Sequence, residues 1–367
     1  MKSIQDPSKL PLPRNEVEVM NSYSAPLEGR RDLLRLDFNE NTLGPSPLVI
    51  EALKKIPSNH IAIYPEYNGL KAAIADNLNL HNRTSIKSQQ VGIFNGVDAA
   101  IHAIFHAYGD VGEQLLTTIP TFGYYTPCAN MQGMEINAVP YQGENFLFPF
   151  EEVSKILETQ QPKLCVICNP NNPTGTRLSP EKILKLATIS QKTLVVIDEL
   201  YEAFTGDSIL PFTDFNKTPN LIVLRSLSKT AGLAGLRIGF AIGNPEVLNL
   251  INRVTGPYDI NSFAVTAAFA ALKDQSYVDN YIKEVLNAKL WIKKQLSMNK
   301  IDHHIDGGNY LLIWPNISPN KITASLKLKG ILVRSMEGKS LIDGAIRVSI
   351  GTIPQMKQFL EAFLQIN

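Results

Sequence analysis

The chain contains only three cysteines and two tryptophans among its 367 residues. Few cysteines in an odd number exclude a disulfide framework. The sequence also lacks any run of about 18 uninterrupted apolar residues, so we expect no helix that spans a membrane. Residues 1–20 have no apolar core of the kind found in secretory signals, which favours a cytoplasmic protein.

Excess charge of either sign is also missing, because 35 basic residues face 34 acidic ones and the net charge is +1. The chain therefore has no basic field to attract nucleic acid or an anionic membrane, and we expect neither partner. Its six histidines show no metal-ligand spacing with acidic or thiol residues, so we expect no metal. With 44% apolar residues, the composition is typical of a globular protein, and the length suggests roughly two domains.

Short apolar runs alternate with helical patterns through the first two thirds of the chain. Strands are predicted at 91–94, 114–119, 135–139, 164–168, 193–197, 221–224 and 238–242, and helices between them at 99–107, 150–159 and 180–190. Such alternation predicts an α/β fold of three αβα layers, in which helices cover both faces of a mainly parallel seven-stranded sheet. Cys165 and Cys168 match the CxxC pattern, but residues three apart on a strand face opposite sides, so we expect core packing.

A different pattern begins near residue 257 and indicates a smaller α/β domain. A helical stretch at 262–298 is broken near Gln275, and strands follow at 301–304, 309–314, 331–334 and 345–350, with helices at 322–328 and 353–364. We therefore divide the chain into an arm (1–38) that packs on the small domain or on a partner subunit, a large domain (39–256) and a small domain (257–367). Ser46 is expected to cap a helix whose first residue is Pro47.

Polar residues follow five of the predicted strands of the large domain, at 95–98, 120–125, 169–175, 198–201 and 226–229. The carboxyl ends of parallel strands meet at one edge of the sheet, where α/β proteins bind their ligands. Any one of these loops alone could be a turn or a helix cap. Five such loops at the same edge predict a site.

Lys229 suggests what this site binds, because it follows a buried strand and lies beside the hydroxyls of Ser226 and Ser228. An amine can condense with an aldehyde, while hydroxyls and a guanidinium hold a phosphate. Pyridoxal phosphate carries both an aldehyde and a phosphate. We therefore predict this cofactor, although Ser226 to Lys229 taken alone could be a surface turn.

The other requirements of pyridoxal phosphate also have candidates. Asp198 would keep the pyridine nitrogen protonated, and Asn172 and Tyr201 would hold the phenolate oxygen. Phe122 would stack on the ring. Arg237, together with the two serines and the backbone amides at Gly96, Val97 and Asp98, would hold the phosphate at the start of a helix.

The motifs NNPTG (171–175), DELY (198–201), SLSK (226–229) and GLRIG (235–239) resemble those of the fold-type-I pyridoxal-phosphate aminotransferases of class I and II. The resemblance extends over nearly the whole chain. Within this class the chain looks most like the histidinol-phosphate aminotransferases, on the motifs NEN (39–41), GPSP (44–47), YP (64–65), NGVD (95–98) and IRVSIGT (346–352).

The resemblance implies the activity and the role of each residue. The chain would exchange an amino group between histidinol phosphate and 2-oxoglutarate, in histidine biosynthesis, with Lys229 as the Schiff-base lysine. Tyr64 would reach the cofactor phosphate of a neighbouring subunit, so the enzyme would be a homodimer with shared active sites. The substrate would be bound by Arg347, by Arg334 at its far end, by Asn39 and Asn172, and by Tyr23 of the partner's arm.

Three other functions remain open at this stage. An aromatic amino-acid aminotransferase needs only one of the two arginines, and a phospho-amino-acid decarboxylase shares the same fold. A regulatory protein of this fold would carry a DNA-binding segment, and no such segment is visible. Phe122, Ala99 and Thr42 depart from the residues common in the histidinol-phosphate subfamily, which has tyrosine, an acidic residue and proline there.

Overall fold

The computed structural model of the chain describes residues 11–21 and 28–367. Its α-helices are α1 (Asn15–Glu18), α2 (Pro47–Lys54), α3 (Ser58–Ala62), α4 (Asn68–Asn82), α5 (Val97–Tyr108), α6 (Tyr125–Met131), α7 (Phe150–Thr159), α8 (Pro180–Ile189), α9 (Pro245–Asn252), α10 (Ser262–Lys273), α11 (Gln275–Met298), α12 (Pro319–Leu328) and α13 (Ile353–Leu364). Within these ranges no helix has both the length and the apolar character needed to cross a bilayer.

The strands have two to six residues, and those of the central sheet follow the predicted apolar runs closely. They are β1 (Leu34–Arg35), β2 (Val91–Phe94), β3 (Gln114–Ile119), β4 (Glu135–Pro140), β5 (Leu164–Cys168), β6 (Leu194–Asp198), β7 (Leu221–Ser226), β8 (Gly239–Gly243), β9 (Asp302–His304), β10 (Tyr310–Trp314), β11 (Ile331–Leu332), β12 (Arg334–Ser335) and β13 (Ile346–Ser349).

The central sheet has seven strands in the order β2-β8-β7-β6-β5-β3-β4. Strands β7, β6, β5, β3 and β4 pair in parallel, whereas β8 is antiparallel to both of its neighbours, β2 and β7. Six strands therefore run in one direction, which confirms the mainly parallel sheet. Because β8 is reversed, it begins at the edge where the other six end.

Two large hydrophobic cores cover the two faces of this sheet. Cys168 belongs to the core formed with α5, α6 and α9, and Cys165 belongs to the core formed with α4, α7, α8 and α10. Helices therefore lie on both faces, which confirms the three-layer arrangement. Both thiols are buried in different cores, as their alternation along β5 predicts.

A second sheet contains four antiparallel strands in the order β12-β13-β10-β9. It packs against the loop that follows β5, where the Tyr310 hydroxyl donates to the carbonyl of Asn171 at 2.6 Å. The Gly307 amide donates to the carbonyl of Gly175 at 2.8 Å. These two bonds place the NNPTG loop between the two sheets.

Residues 11–21 and 28–38 contact the C-terminal part of the fold and also helix α6. Strand β1 pairs in parallel with β11, and the Ser349 amide donates to the Leu36 carbonyl at 2.8 Å. Further towards the N-terminus, the Arg14 guanidinium donates to the carbonyl of Met131 at the end of α6. Residues 34–36 thereby join the C-terminal part of the fold.

Two local expectations need correction. Ser46 is the residue before α2 and Pro47 is its first residue, but the Ser46 hydroxyl makes no capping bond and has no partner. The strand predicted at 331–334 is divided in two, because Ile331 and Leu332 pair with β1 whereas Arg334 and Ser335 pair with β13. The chain changes partner at Val333, a change that an apolar pattern does not record.

Candidate active site

Most of the predicted cofactor residues lie at one edge of the central sheet. The edge carries Gly96, Val97 and Asp98 after β2, Phe122 after β3, Asn172 after β5, Asp198 and Tyr201 after β6, Ser226, Ser228 and Lys229 after β7, and Arg237 before β8. Arg237 reaches this edge because β8 runs against the other strands.

Lys229 lies at the centre of the group and has a reactive amine. Its Nζ donates to the Phe38 carbonyl at 2.9 Å and lies 5.9 Å from the centroid of the Tyr201 ring. Burial, together with the nearby positive charge of Arg347, lowers the pKa of Lys229 to about 8. Near neutral pH the amine can therefore lose its proton and act as a nucleophile or a base.

Asp198 is a buried carboxylate, only 1% exposed. Its Oδ2 accepts a hydrogen bond from the Tyr125 hydroxyl at 2.7 Å, and its Oδ1 accepts one from the Leu200 amide at 3.3 Å. Burial raises the pKa of Asp198 to about 6, while those two bonds lower it. Among residues 11–21 and 28–367, no basic side chain lies within ion-pair distance of it.

Tyr125 was not among the predicted site residues, although it lies in a loop that the sequence places at this edge. Its hydroxyl is fully buried and its bond to Asp198 orients that carboxylate. The sequence offers a weak signal, since two tyrosines follow Phe122 in succession. Which of them reaches Asp198 depends on α6 beginning at Tyr125.

The Tyr201 hydroxyl accepts hydrogen bonds from two amides, those of Asn39 at 3.2 Å and Asn172 at 3.1 Å. Asn172 in turn accepts a hydrogen bond through Oδ1 from the Arg347 guanidinium at 2.8 Å. Burial raises the pKa of Tyr201, so the hydroxyl keeps its proton. Since both amides donate to its oxygen, that proton is free for a ligand.

Gly96 leaves space for a guanidinium at the start of α5. It has a positive φ of 81°, and a Cβ added to it would lie 2.4 Å from Arg237 Nη2. Arg237 Nη2 also contacts the Asp98 carboxylate at 2.7 Å. The arrangement brings a cation to the amides that begin a helix, which is a combination suited to an anion.

Ser226 and Ser228 lie beside this helix end. Their hydroxyl oxygens are 2.8 Å apart, and the Ser228 amide donates to Ser226 Oγ at 3.0 Å. Strand β7 pairs with β8 so that Ser226 is opposite Gly239, two residues after Arg237. The strand pairing thus places the two hydroxyls near the residue that was predicted to share the phosphate with them.

Arg334 and Arg347 are directly opposite each other on β12 and β13. Residues paired in this way place their side chains on the same face of the sheet. Among the described residues, no carboxylate lies within 4.0 Å of either guanidinium. The Nε of Arg347 is buried without a partner, and burial, with the charge of Arg334, lowers the pKa of Arg347.

Three predicted residues have other surroundings. Tyr64 is 70% exposed and stacks on Tyr258 at 3.9 Å, and no hydrogen bond or ring contact joins it to the site within the described ranges. Phe122 is half-buried and lies edge-on to Tyr125 at 5.5 Å. Tyr23 falls outside the residues that the structure describes.

These groups fit pyridoxal phosphate. A buried carboxylate without a cation partner suits a protonated ring nitrogen, and the amine of Lys229 has the lowered pKa that its reaction with an aldehyde requires. Gly96 and Arg237 together would hold a phosphate. A larger residue at position 96 would collide with the Arg237 guanidinium and displace it.

Comparison with known proteins agrees with this chemistry. Residues 31–363 match the family described as aminotransferase class I and II. A histidinol-phosphate aminotransferase of Moorella thermoacetica is 31% identical over 92% of this chain and 86% of its own length. One from Caldanaerobacter subterraneus is 29% identical over 96% and 98%. The crystal structure of histidinol-phosphate aminotransferase from Sinorhizobium meliloti with pyridoxal 5'-phosphate has a TM-score of 0.87, with 22% identity and 99% of each chain covered.

The chain belongs to the aminotransferase class I and II family. It is a pyridoxal-phosphate-dependent transaminase with the type I fold of that family, which confirms the predicted class of enzyme and its cofactor. Within the family, the relatives just named are histidinol-phosphate aminotransferases.

Proposed function

We propose that this transaminase exchanges the amino group between histidinol phosphate and imidazole-acetol phosphate on one side and 2-oxoglutarate and glutamate on the other. This reaction would place it in histidine biosynthesis, in the cytoplasm. The proposal is supported by the sequence similarity to relatives of that name. The observation that carries it is the pair Arg334 and Arg347, two guanidinium groups that form no ion pair with any carboxylate of the described residues.

The substrates of this reaction require such a pair. Histidinol phosphate carries a phosphate where an amino acid has its α-carboxylate, and 2-oxoglutarate carries two carboxylates. Arginine forks bind phosphates and carboxylates alike, so Arg334 and Arg347 can serve both substrates in turn. An aromatic amino acid would need only one of them.

Pyridoxal phosphate, when bound, supplies an aldehyde and an electron-withdrawing ring. In our proposal Asp198 holds the ring nitrogen, and the free proton of Tyr201, with the amide of Asn172, faces the phenolic oxygen. The phosphate would be held by Ser226, Ser228, Arg237 and the amides of Gly96, Val97 and Asp98, and Phe122 would cover the ring.

Lys229 would move the proton at the donor's Cα. Its pKa of about 8 lets the amine accept a proton and return it at neutral pH. Arg347, together with Arg334, would bind the anionic group next to that carbon. The bond of Arg347 to Asn172 would tie substrate binding to the tyrosine at the cofactor oxygen. Asn39 holds Tyr201 from the other side, and we propose that it also contacts the substrate.

A donor screen with the holoenzyme and 2-oxoglutarate tests the substrate. We expect kcat/KM to be highest for histidinol phosphate among histidinol phosphate, phenylalanine, tyrosine and aspartate. Arg334→Met should lower kcat/KM for histidinol phosphate about 10- to 100-fold, the effect of losing a charge-assisted bond. Its effect on phenylalanine should be much smaller.

Three outcomes would contradict the proposal. Equal losses with both donors would favour an aromatic amino-acid aminotransferase. Release of carbon dioxide without consumption of 2-oxoglutarate would indicate a decarboxylase. Full turnover by Lys229→Ala, whose bound cofactor should also lose its visible absorbance, would contradict the role of the lysine.

We also propose a homodimer with shared sites. Tyr64 is exposed, and among the described residues its ring stacks on Tyr258 alone. The Tyr64 hydroxyl is therefore accessible to a neighbouring subunit. Tyr23 would come from the partner's arm in the same way. Light scattering of the active enzyme should give twice the mass of one chain, and the mass of a single chain would contradict this proposal.

A further inference from the structure

The Phe38 ring lies against two arginines. The Cζ atom of Arg30 is 4.1 Å from the ring centroid, and that of Arg334 is 5.7 Å from it. Both distances are within the range of cation–π attraction. Phe38 is half-buried, and it was not among the predicted site residues.

The two arginines differ in their other contacts. Arg30 donates to both carboxylate oxygens of Asp37, at 2.7 and 3.0 Å, and contacts Glu40 at 2.8 Å. Its position is therefore fixed. The Arg334 side chain forms no hydrogen bond or ion pair within residues 11–21 and 28–367, so the Phe38 ring is the contact that limits where its guanidinium points.

Phe38 also contacts the reacting amine through its backbone. Its carbonyl accepts the hydrogen bond from Lys229 Nζ at 2.9 Å. The preceding carbonyl, that of Asp37, accepts a hydrogen bond from the Arg347 guanidinium. Residues 37 and 38 thus contact the Lys229 amine and both Arg334 and Arg347.

We propose that Phe38 is a positioning residue that determines donor specificity. Its ring orients the Arg334 guanidinium, and its carbonyl holds the Lys229 amine, so a single residue sets the spacing between the reacting amine and the anion-binding arginine. A donor whose amino and anionic groups match this spacing is selected. The inference rests on the proposed function, in which Arg334 binds the donor's anionic group.

A double-mutant cycle separates this role from simple packing. Phe38→Leu keeps apolar bulk but removes the aromatic face, Phe38→Tyr keeps the face, and Arg334→Met removes the cation. On the holoenzyme we would measure KM and kcat for histidinol phosphate and, by calorimetry, the Kd of inorganic phosphate. Urea unfolding of each variant verifies that it is folded.

We expect Phe38→Leu to raise both KM and the phosphate Kd about two- to fivefold, the size of one cation–π contact, with a smaller change in kcat. Phe38→Tyr should restore wild-type values. With Arg334→Met already present, Phe38→Leu should have no further effect. An equal effect in both backgrounds, or none in either, would overturn the inference.

The phosphate measurement distinguishes a failure of this inference from a failure of the proposed function. If histidinol phosphate is not a donor but the cycle on phosphate binding shows coupling, the proposed substrate is wrong and Phe38 still orients Arg334. If histidinol phosphate is the preferred donor and the cycle shows no coupling, only the inference about Phe38 is wrong.

Discussion

Two groups of cations near the sheet edge have opposite surroundings. In the paired cluster, Arg225 contacts the carboxylates of Glu199, at 2.9 Å, and Glu202, and the three side chains are 11%, 0% and 5% exposed. The open cations are Lys229, Arg334 and Arg347, none of which forms an ion pair within the described part of the chain. Both groups lie in largely buried surroundings, yet only in the paired cluster do carboxylates of the described residues neutralise the cation.

Whether a cation is paired distinguishes those that stabilise the fold from those that can bind a ligand. A buried charge is costly unless it is paired, so a fold keeps an unpaired cation only where a ligand supplies the opposite charge. The paired cluster supports the site indirectly, because its members are the chain neighbours of Asp198, Tyr201 and Ser226. Burial raises the pKa of Glu199 even beside Arg225, which shows how strongly this region excludes water.

The largest effect is expected from breaking the paired cluster. Arg225→Met leaves Glu199 and Glu202 buried without a cation, and we expect the free energy of unfolding to fall by about 3–5 kcal/mol. Urea unfolding at pH 8 measures the change. As a control, Arg177→Met removes ion pairs to Asp306, at 3.3 Å, and to Asp207, at 3.4 Å, in which the arginine is 46% exposed. That variant should lose less than about 1 kcal/mol, and equal losses in the two variants would contradict the comparison.

Removing an open cation should lower activity strongly and stability only slightly, the reverse of what is expected for the paired cluster. We expect Arg347→Met to lower kcat/KM for histidinol phosphate and for 2-oxoglutarate about 100-fold or more, because the anion loses its bonded partner. Stability should change by only about 1 kcal/mol, since two lost hydrogen bonds are offset by removing an unpaired buried charge. Steady-state kinetics test the loss of activity, and urea unfolding tests the small change in stability. The prediction would be wrong if Arg347→Met were as unstable as Arg225→Met and had nearly normal kinetics.

A smaller effect concerns pH. Burial lowers the pKa of Lys229 from 10.5 to about 8, so below pH 8 the folded state bears the cost of a buried charge. Between these two values the lysine is neutral only in the folded state, and raising the pH therefore removes that cost. In the cofactor-free protein, Lys229→Met should raise the free energy of unfolding, measured by urea unfolding. The difference from the wild type should be greatest near pH 7 and become smaller towards pH 10. Parallel pH curves for the two proteins would show that this amine is not buried at a cost.

The local pattern of the sequence predicts most of the sheet. The predicted runs at 91–94, 114–119 and 164–168 have the bounds of β2, β3 and β5, because short, mainly apolar segments between turn signals leave little choice. Other features depend on contacts far apart in the chain. The reversal of β8, the change of partner at Val333 and the empty cap at Ser46 have no counterpart in local periodicity.

The site divides in the same way. Lys229, Asp198 and Arg237 could be predicted because each has a demanding chemical task and lies in a distinctive motif. Tyr125 and Phe38 could not, because an aromatic residue in a loop has no task until the fold places a carboxylate or a guanidinium beside it. The pairing state of each arginine is likewise absent from the sequence, because Arg225, which is paired, has no carboxylate within ten residues, whereas Arg334 and Arg347, which are not, have Glu337 and Asp343 within four.

The sequence by itself therefore determined the alternating strands and helices, the class of cofactor and the candidate residues for binding it, since these follow from residue type and order. Only the tertiary structure decided which cations are neutralised and which stay open, because that depends on distances between segments such as 37–39 and 334–347 that lie some three hundred residues apart. In this protein those distances, rather than the motifs, distinguish the arginines proposed to bind a substrate anion from those that are already paired.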